Sequence, residues 1–108
     1  MILPPMLQPQ DRRRHPRMPV TLLVQYQAEA GEQAEVDYAT DLSPGGLFIK
    51  TPRPAQPGST LQVQFAPGKD SYLIQAYCRV ARVTPEGMGA AFVQLDADSA
   101  EVLARALA

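Results

Sequence analysis

Short alternating segments separated by proline and glycine restrict the fold of this chain more than any other feature. Eleven prolines and seven glycines occur among 108 residues. Proline lacks a backbone N–H and glycine loses the most conformational freedom on folding, so neither favours the interior of a long helix. Between these residues, apolar and polar side chains alternate with a period of two. This pattern is typical of strands that bury one face.

Six segments show this strand pattern. They comprise residues 20–27, 34–42, 47–51, 60–66, 72–84 and 88–95. In the first segment, Leu22, Val24 and Tyr26 lie on one side and are expected to face the core. The connections between segments are short, which predicts antiparallel pairing because parallel strands need a long crossover. Six such strands can close into a barrel, which removes exposed sheet edges.

The last residues show a helical pattern instead. Asp98 and Glu101 have the spacing of a capping box, so Asp98 is predicted to be the N-cap. An apolar stripe follows at helical spacing and comprises Val102, Leu103, Ala106 and Leu107. The sequence therefore predicts an all-β domain, a six-stranded antiparallel β-barrel with a C-terminal α-helix packed against it.

Several functional classes are disfavoured by what the chain contains. Cys78 is the single cysteine and His15 the single histidine, so an internal disulfide, a cysteine-rich metal site and a two-histidine mechanism are excluded. No apolar run approaches the ~20 residues that a membrane-spanning helix needs, and residues 1–10 lack the pattern of a secretory signal. We therefore expect a cytoplasmic protein with no membrane insertion, no metal, no cofactor and no enzymatic activity. Residues 1–10 are expected to form a flexible tail before a domain at 11–108.

Charge is distributed unevenly along the chain. The formal net charge is -1, but residues 1–20 carry +3 and residues 21–108 carry −4. Four arginines, Arg12, Arg13, Arg14 and Arg17, lie within six residues just before the first predicted strand. A guanidinium binds phosphate oxygens two at a time and can stack on a base or read a guanine edge. This segment alone is compatible either with capture of a compact anionic nucleotide or with a solvated basic run.

A second unusual segment, Asp41-Leu-Ser-Pro-Gly-Gly46, lies between the second and third predicted strands. Asp, Ser, Pro and Gly all favour turns, and the glycine after Pro44 is expected to adopt a positive φ. Backbone N–H groups at Gly45 and Gly46 can form an anion nest, and a carboxylate beside them can accept the N1–H and amino group of guanine. Taken alone, this segment is better explained by a tight hairpin without a ligand.

Together, the two segments resemble the PilZ domain family. That family is recognised by an RxxxR motif before the first barrel strand, matched here by Arg13 and Arg17. Its second motif, [D/N]xSxxG in a strand turn, is matched by Asp41, Ser43 and Gly46. The similarity covers about residues 10–105 and includes the segments after each motif. Each motif is weak by itself, but the two occur in the family order within a chain of matching size.

The resemblance implies a function, namely binding of the bacterial second messenger cyclic di-GMP. By the family pattern, Arg13 and Arg17 grip phosphates and guanine faces, while Asp41, Ser43 and Gly46 hold a guanine edge. It also implies a monomer or weak dimer that passes the signal to a protein partner, in processes such as motility or biofilm formation.

Two further expectations concern the arginine segment. Arg12, the residue before the first motif arginine, is expected to stack on a second ligand molecule, so that an intercalated ligand dimer can bind. Because the arginines repel one another when no ligand is bound, binding is expected to order the segment across the barrel face.

Two other functional classes remain open from the residues. One is a PilZ-like adaptor that binds a protein in pilus or motility machinery without a nucleotide. The other is a small barrel that binds RNA or single-stranded DNA. Such barrels use aromatic stacking platforms among basic residues. Aromatic residues make up only 6% of this chain and Trp is absent, so no nucleic-acid partner is expected.

Overall fold

Six antiparallel strands close into a barrel that a C-terminal helix covers on one side. The computed structural model describes residues 17–29, 31, 33–68 and 72–108. The elements are β1 (Met18–Ala28), β2 (Glu35–Ser43), β3 (Gly46–Lys50), β4 (Thr60–Phe65), β5 (Ile74–Thr84), β6 (Gly87–Leu95) and α1 (Ala97–Ala106). All six predicted strands are present, and each end lies within two residues of its predicted position. The predicted fold class is confirmed.

The strand order around the barrel is β1-β2-β3-β6-β5-β4, and β4 pairs with β1 to complete the closure. Every neighbouring pair is antiparallel. Because all strand edges are paired, the backbone hydrogen-bonding groups of each strand are satisfied within the barrel. This closure brings β2, β3, β6 and the second half of β5 side by side on one face.

The barrel interior is filled by one side of each strand. Val24 and Tyr26 of β1 are buried, and Leu22 packs against the same core, as the alternation predicts. Cys78 in β5 is fully buried as well, and burial raises the pKa of its thiol to about 12. A thiol with such a pKa is not a nucleophile at neutral pH, so Cys78 acts as a small apolar residue of the core.

The helix begins earlier than predicted. The N-cap is Asp96, whose Oδ1 accepts a hydrogen bond of 2.7 Å from the backbone N–H of Ser99, so the assignment of Asp98 as N-cap was wrong. The reason is the position of Ser99, which is fully buried and whose Oγ accepts a hydrogen bond of 3.1 Å from the backbone N–H of Gln75 in β5. This contact places Ser99 inside the first turn. Leu103 of the predicted stripe is buried against the barrel.

β-Bulges interrupt the regular alternation in two strands that form the same barrel face. In β2, the pairing with β3 shifts between Ala39 and Asp41, so Thr40 is an extra residue. In β5, the pairing with β6 shifts between Val80 and Arg82. A bulge reverses the side to which all later side chains point. In a regular strand, certain polar side chains would point into the core. Both bulges therefore turn these side chains outward.

Among the described residues, no helix has the length and apolar character needed to cross a membrane.

Candidate functional site

An ion pair joins the two sequence motifs at the start of the barrel. The Nη1 of Arg17 donates to Oδ2 of Asp41 at 3.1 Å, across 24 residues of chain. Both side chains are only partly exposed, at 26% for Arg17 and 30% for Asp41. Partial burial strengthens such a pair relative to one in open water, because solvent screens it less. Arg17 and Asp41, one residue of each motif, therefore belong to one polar site.

The bulge at Thr40 directs Asp41 toward this site. Ala39 and Leu42 are both buried although they are three residues apart, which regular alternation cannot produce. With the extra residue, Asp41 lies opposite Pro19 of β1 and Phe48 of β3, on the outer face of the barrel. Without it, the carboxylate would point with Ala39 into an apolar core, where an unpaired charge is strongly unfavourable.

Ser43 holds the turn that follows. Its Oγ accepts a hydrogen bond of 3.2 Å from the backbone N–H of Gly45 and lies 3.4 Å from the carbonyl oxygen of Gly46. The carbonyl oxygen of Gly45 in turn accepts a bond of 2.8 Å from the N–H of Phe92 in β6. The hydroxyl and the neighbouring strand thus fix the tip of the hairpin, and Ser43 itself is 7% exposed.

Glycine is required at position 46 because of crowding. The expected positive φ in this turn was wrong, since among the described glycines only Gly58 and Gly87 have one. A Cβ on Gly46 would instead lie 2.1 Å from the carbonyl oxygen of Ala90, closer than any side chain can approach. The glycine therefore lets β3 and β6 meet directly below the turn.

Two cavities open beside these residues. The larger has a volume of about 500 Å³, and its walls include Arg17, Ser43 and Gly46. The smaller, of about 410 Å³, includes Arg17, Asp41 and Lys50. Arg17 lines both, together with Phe48 and Arg82. Cavities of this size accommodate a nucleotide-sized ligand.

The structure brings together four of the six residues that the sequence singled out. Arg17, Asp41, Ser43 and Gly46 all line one cavity or the other. Arg12 and Arg13, together with the arginine-segment switch, lie outside the described residues.

Sequence reasoning missed several further wall residues, among them Phe48, Lys50 and Arg82. One signal could have found Arg82. Ile74, Ala76, Cys78 and Val80 alternate as an inward face, and Arg82 continues their phase. A charged residue in an apolar phase indicates a bulge.

The site combines cationic, acidic and neutral polar groups around an apolar wall. Arginine can bind phosphate or stack on a base, and the carboxylate can accept hydrogen bonds from a base edge. No group of three His, Cys, Asp or Glu side chains within the described part of the chain is arranged to hold a metal ion. The arrangement is suited to binding an anionic ligand that also carries hydrogen-bond donors.

Comparison with known proteins gives a consistent result at the level of family and fold. The family model described as "PilZ domain" matches residues 11–108. No curated protein sequence matches the chain. Among solved structures, the Bacillus subtilis inhibitor of motility MotI/DgrA superposes with a TM-score of 0.71 at 21% identity, covering 89% of this chain. The chain spans about half of that protein, namely 50% of its length.

A second similar structure is the PilZ domain of CeSA from a cellulose-synthesizing bacterium. It superposes with a TM-score of 0.67 at 19% identity, covering 82% of this chain and 91% of that domain. At these identities the two structures establish the shared barrel fold. Because the family model spans nearly the whole chain, and because the barrel holds residues of both family motifs at one site, this protein belongs to the PilZ domain family.

Proposed function

We propose that this chain is a cyclic di-GMP receptor and adaptor rather than an enzyme. The observation that carries the proposal is the Arg17–Asp41 pair beside a cavity whose wall includes Ser43 and Gly46. Arg17 belongs to the first family motif and lies just before β1. Asp41 and Ser43 of β2 and Gly46 of β3 belong to the second motif. Membership of the PilZ family, whose domains generally bind this messenger, supports the same ligand.

Each group has a role that follows from its chemistry. Arg17 offers a planar cation to a phosphate or to a guanine face. Asp41 accepts the N1–H and the amino group of guanine, two donors that point the same way. Ser43 fixes the turn beside the cavity, and Gly46 lets β6 pack directly against it. Asp41 already accepts from Arg17 through Oδ2, so the ligand must share or replace this pair.

The other arginines are close enough along the chain to join this site. A trans peptide advances at most about 3.6 Å per residue, so Arg13 lies within roughly 14 Å of Arg17 and Arg12 within roughly 18 Å. Four arginines near a ligand with two phosphates provide both attraction and a reason to change state on binding. We propose that ligand binding orders this segment against the barrel.

The signal then passes to a protein partner. Leu23 of β1 and Tyr38 of β2 are cross-strand neighbours and are 57% and 52% exposed, and nearby Val36 is 59% exposed. Apolar side chains that adjoin one another on a sheet surface favour a protein contact. Leu103 of the helix stripe is buried against the barrel, so it is not available to a partner. Motility and biofilm formation stay predictions for this chain.

The test is a calorimetric titration with cyclic di-GMP on three proteins, namely wild type, Asp41→Ala and Asp37→Ala. The two aspartates form a matched pair because both belong to β2 and both accept a side-chain hydrogen bond, Asp41 from Arg17 and Asp37 from Tyr26. We expect Asp41→Ala to weaken binding at least about tenfold, since a charged hydrogen-bond acceptor is lost. Asp37→Ala should bind like wild type.

Equal weakening in both variants would contradict the assignment of Asp41. A wild-type chain that binds no nucleotide would overturn the proposed function and leave the nucleotide-independent adaptor in pilus or motility machinery as the better hypothesis.

The same titration measures stoichiometry. If Arg12 stacks on a second ligand molecule, wild type should bind two molecules per chain and Arg12→Ala one. A single molecule in both proteins would contradict the intercalated dimer while leaving the receptor proposal intact.

A further inference from the structure

Arg82 reaches the outer face of the barrel only because of the bulge in β5. Before the bulge, Cys78 and Val80 point inward and are almost completely buried. Regular alternation would direct Arg82 into the same core. Ala81 is the extra residue, and after it Arg82 pairs with Gly89 of β6 and is exposed. Bulges often re-aim a side chain toward a functional site.

Gly89 provides the surface on which the Arg82 side chain lies. A Cβ built on Gly89 would be 3.4 Å from Cγ and 3.5 Å from Nε of Arg82. The arginine stem therefore crosses directly over the glycine, at van der Waals distance. Gly89 and Arg82 both line the larger cavity. Because Gly89 has no side chain, the Arg82 side chain can pack against the backbone there and lie along the cavity wall.

Arg82 belongs to the wall that the two cavities of the site share. Arg82, Arg17 and Phe48 are the three residues that line both the 500 Å³ and the 410 Å³ cavity. They come from β5, from the residue before β1, and from β3. A cation on this shared wall faces a ligand in either cavity.

Arg82 also differs from three other described arginines in having no carboxylate partner. Arg17, Arg53 and Arg105 each form an ion pair with a carboxylate. Arg82 forms no such pair with any described carboxylate within 4.0 Å, although it lies at a site with acidic residues. Its charge is therefore available to an anion without breaking an existing pair.

We propose that Arg82 is a further ligand-binding residue and that it binds a phosphate of the nucleotide from the β5 side of the site. This inference rests on the proposed function, because the ligand it names is the same. It adds a cation that lies in neither motif. The phosphates would then lie between Arg17 on one side and Arg82 on the other.

The experiment is a titration of four proteins with cyclic di-GMP, namely wild type, Arg82→Ala, Arg82→Lys and Arg79→Ala. Arg79 is the matched control because it is an exposed arginine of the same strand that lines neither cavity. We expect Arg82→Ala to weaken binding about tenfold, as expected for loss of a charge-assisted hydrogen bond. Arg82→Lys should recover part of the affinity because the charge remains. Arg79→Ala should stay within about twofold of wild type, since an exposed charge away from the ligand is screened.

Three results would overturn the assignment while leaving the receptor intact. They are wild-type affinity in Arg82→Ala, equal weakening in Arg79→Ala, and an affinity of Arg82→Lys no better than that of Arg82→Ala. Wild-type affinity in Arg82→Ala would show that Arg82 does not contact the ligand. Equal weakening in Arg79→Ala would show that only net charge matters. An affinity of Arg82→Lys no better than that of Arg82→Ala would indicate stacking on a base instead of phosphate binding. No binding by the wild-type protein would overturn the proposed function itself, and with it the role of Arg82. Thermal unfolding of each variant verifies that the barrel is folded.

Discussion

The two ends of β2 carry the same kind of ion pair in very different surroundings. At one end, Arg17 and Asp41 are 3.1 Å apart, and at the other, Arg53 and Glu35 are 3.3 Å apart. The distances are nearly equal. The Arg53 side chain, however, is 80% exposed, whereas that of Arg17 is 26% exposed. The presence of an Arg–carboxylate ion pair therefore does not by itself distinguish the proposed site from the other end of β2.

The two ends of β2 differ in the balance of charge in the cavities beside them. The cavities at the Asp41 end contain three cations, Arg17, Lys50 and Arg82, against two carboxylates, Asp41 and Glu86. The cavity at the Glu35 end has one cation and one carboxylate, Arg53 and Glu35. An excess of positive charge at one end only favours an anionic ligand at that end.

The largest expected difference between the two ends is in nucleotide affinity. Replacing Arg17 by alanine should cost on the order of 2–4 kcal/mol of cyclic di-GMP binding, because charge-assisted hydrogen bonds to the ligand are lost. Arg53→Ala removes the same charge at the other end and should leave the affinity unchanged. Calorimetry on both variants measures the difference, and a comparable loss in the two would show that net charge rather than the site controls binding.

The second difference concerns two glycines at opposite ends of the β3–β6 pairing, Gly46 of β3 and Gly87 of β6. A Cβ on Gly46 would lie 2.1 Å from the carbonyl oxygen of Ala90, and a Cβ on Gly87 would lie 2.1 Å from that of Ile49. Alanine at either position should lower the free energy of unfolding by about 1–3 kcal/mol, because the paired backbones must move apart. At equal folded fraction, only Gly46→Ala should also weaken nucleotide binding. Denaturant unfolding gives the stabilities, and unchanged values would show that β3 and β6 adjust without strain.

A smaller effect is expected at Tyr26, near the Glu35 end. Its hydroxyl donates to Oδ2 of Asp37 at 2.6 Å. Burial, together with this hydrogen bond, raises the pKa of Tyr26 to about 12 from 10.0. Tyr26→Phe should lower stability at pH 7 by about 1 kcal/mol through the lost hydrogen bond, with no effect on nucleotide affinity.

The pH dependence checks the same residue. Between pH 10 and 12 the unfolded chain loses the Tyr26 proton while the folded chain keeps it, so stability falls as the pH rises, by up to about 1.4 kcal/mol per pH unit. Buried Cys78 contributes in the same direction, starting near pH 9. In Tyr26→Phe the decline above pH 10 should be shallower. An identical slope in the two proteins would contradict the raised pKa.

The smallest effect is expected from the exposed pair itself. Glu35→Gln should change the free energy of unfolding by less than about 0.5 kcal/mol, because exposed ion pairs contribute little. Asp41→Asn, at the more buried pair, should change it more than Glu35→Gln does. Chemical denaturation at low and high salt compares the two, and an equal salt dependence would indicate that both pairs are screened alike.

Much of the fold could be read from local periodicity. A strand that buries one face shows its pattern in the sequence, so Leu22, Val24 and Tyr26 were assigned to the correct side. The helix stripe was visible for the same reason. Its start was not, because Asp96 and Asp98 are both acceptable N-caps and the choice depends on the contact between Ser99 and β5.

The proposed binding site shows most clearly which features the sequence predicts and which depend on the folded structure. The motif residues Arg17, Asp41, Ser43 and Gly46 were identified through the resemblance of the two segments to the PilZ family motifs. A positive φ was expected at Gly45 and is not observed, whereas the need for glycine at position 46 comes from the approach of β6. Contacts between strands distant in sequence leave no local signal, so only the folded barrel reveals them.

The sequence by itself determined which residues form strands and which short segments carry charge and turns, because these depend on near neighbours along the chain. The tertiary structure decided where the side chains point. The bulges at Thr40 and Ala81 turn Asp41 and Arg82 outward, and barrel closure brings β5 beside the β2–β3 turn. Whether a strand takes an extra residue depends on its register with the strand beside it, and closure of the barrel sets all the registers together.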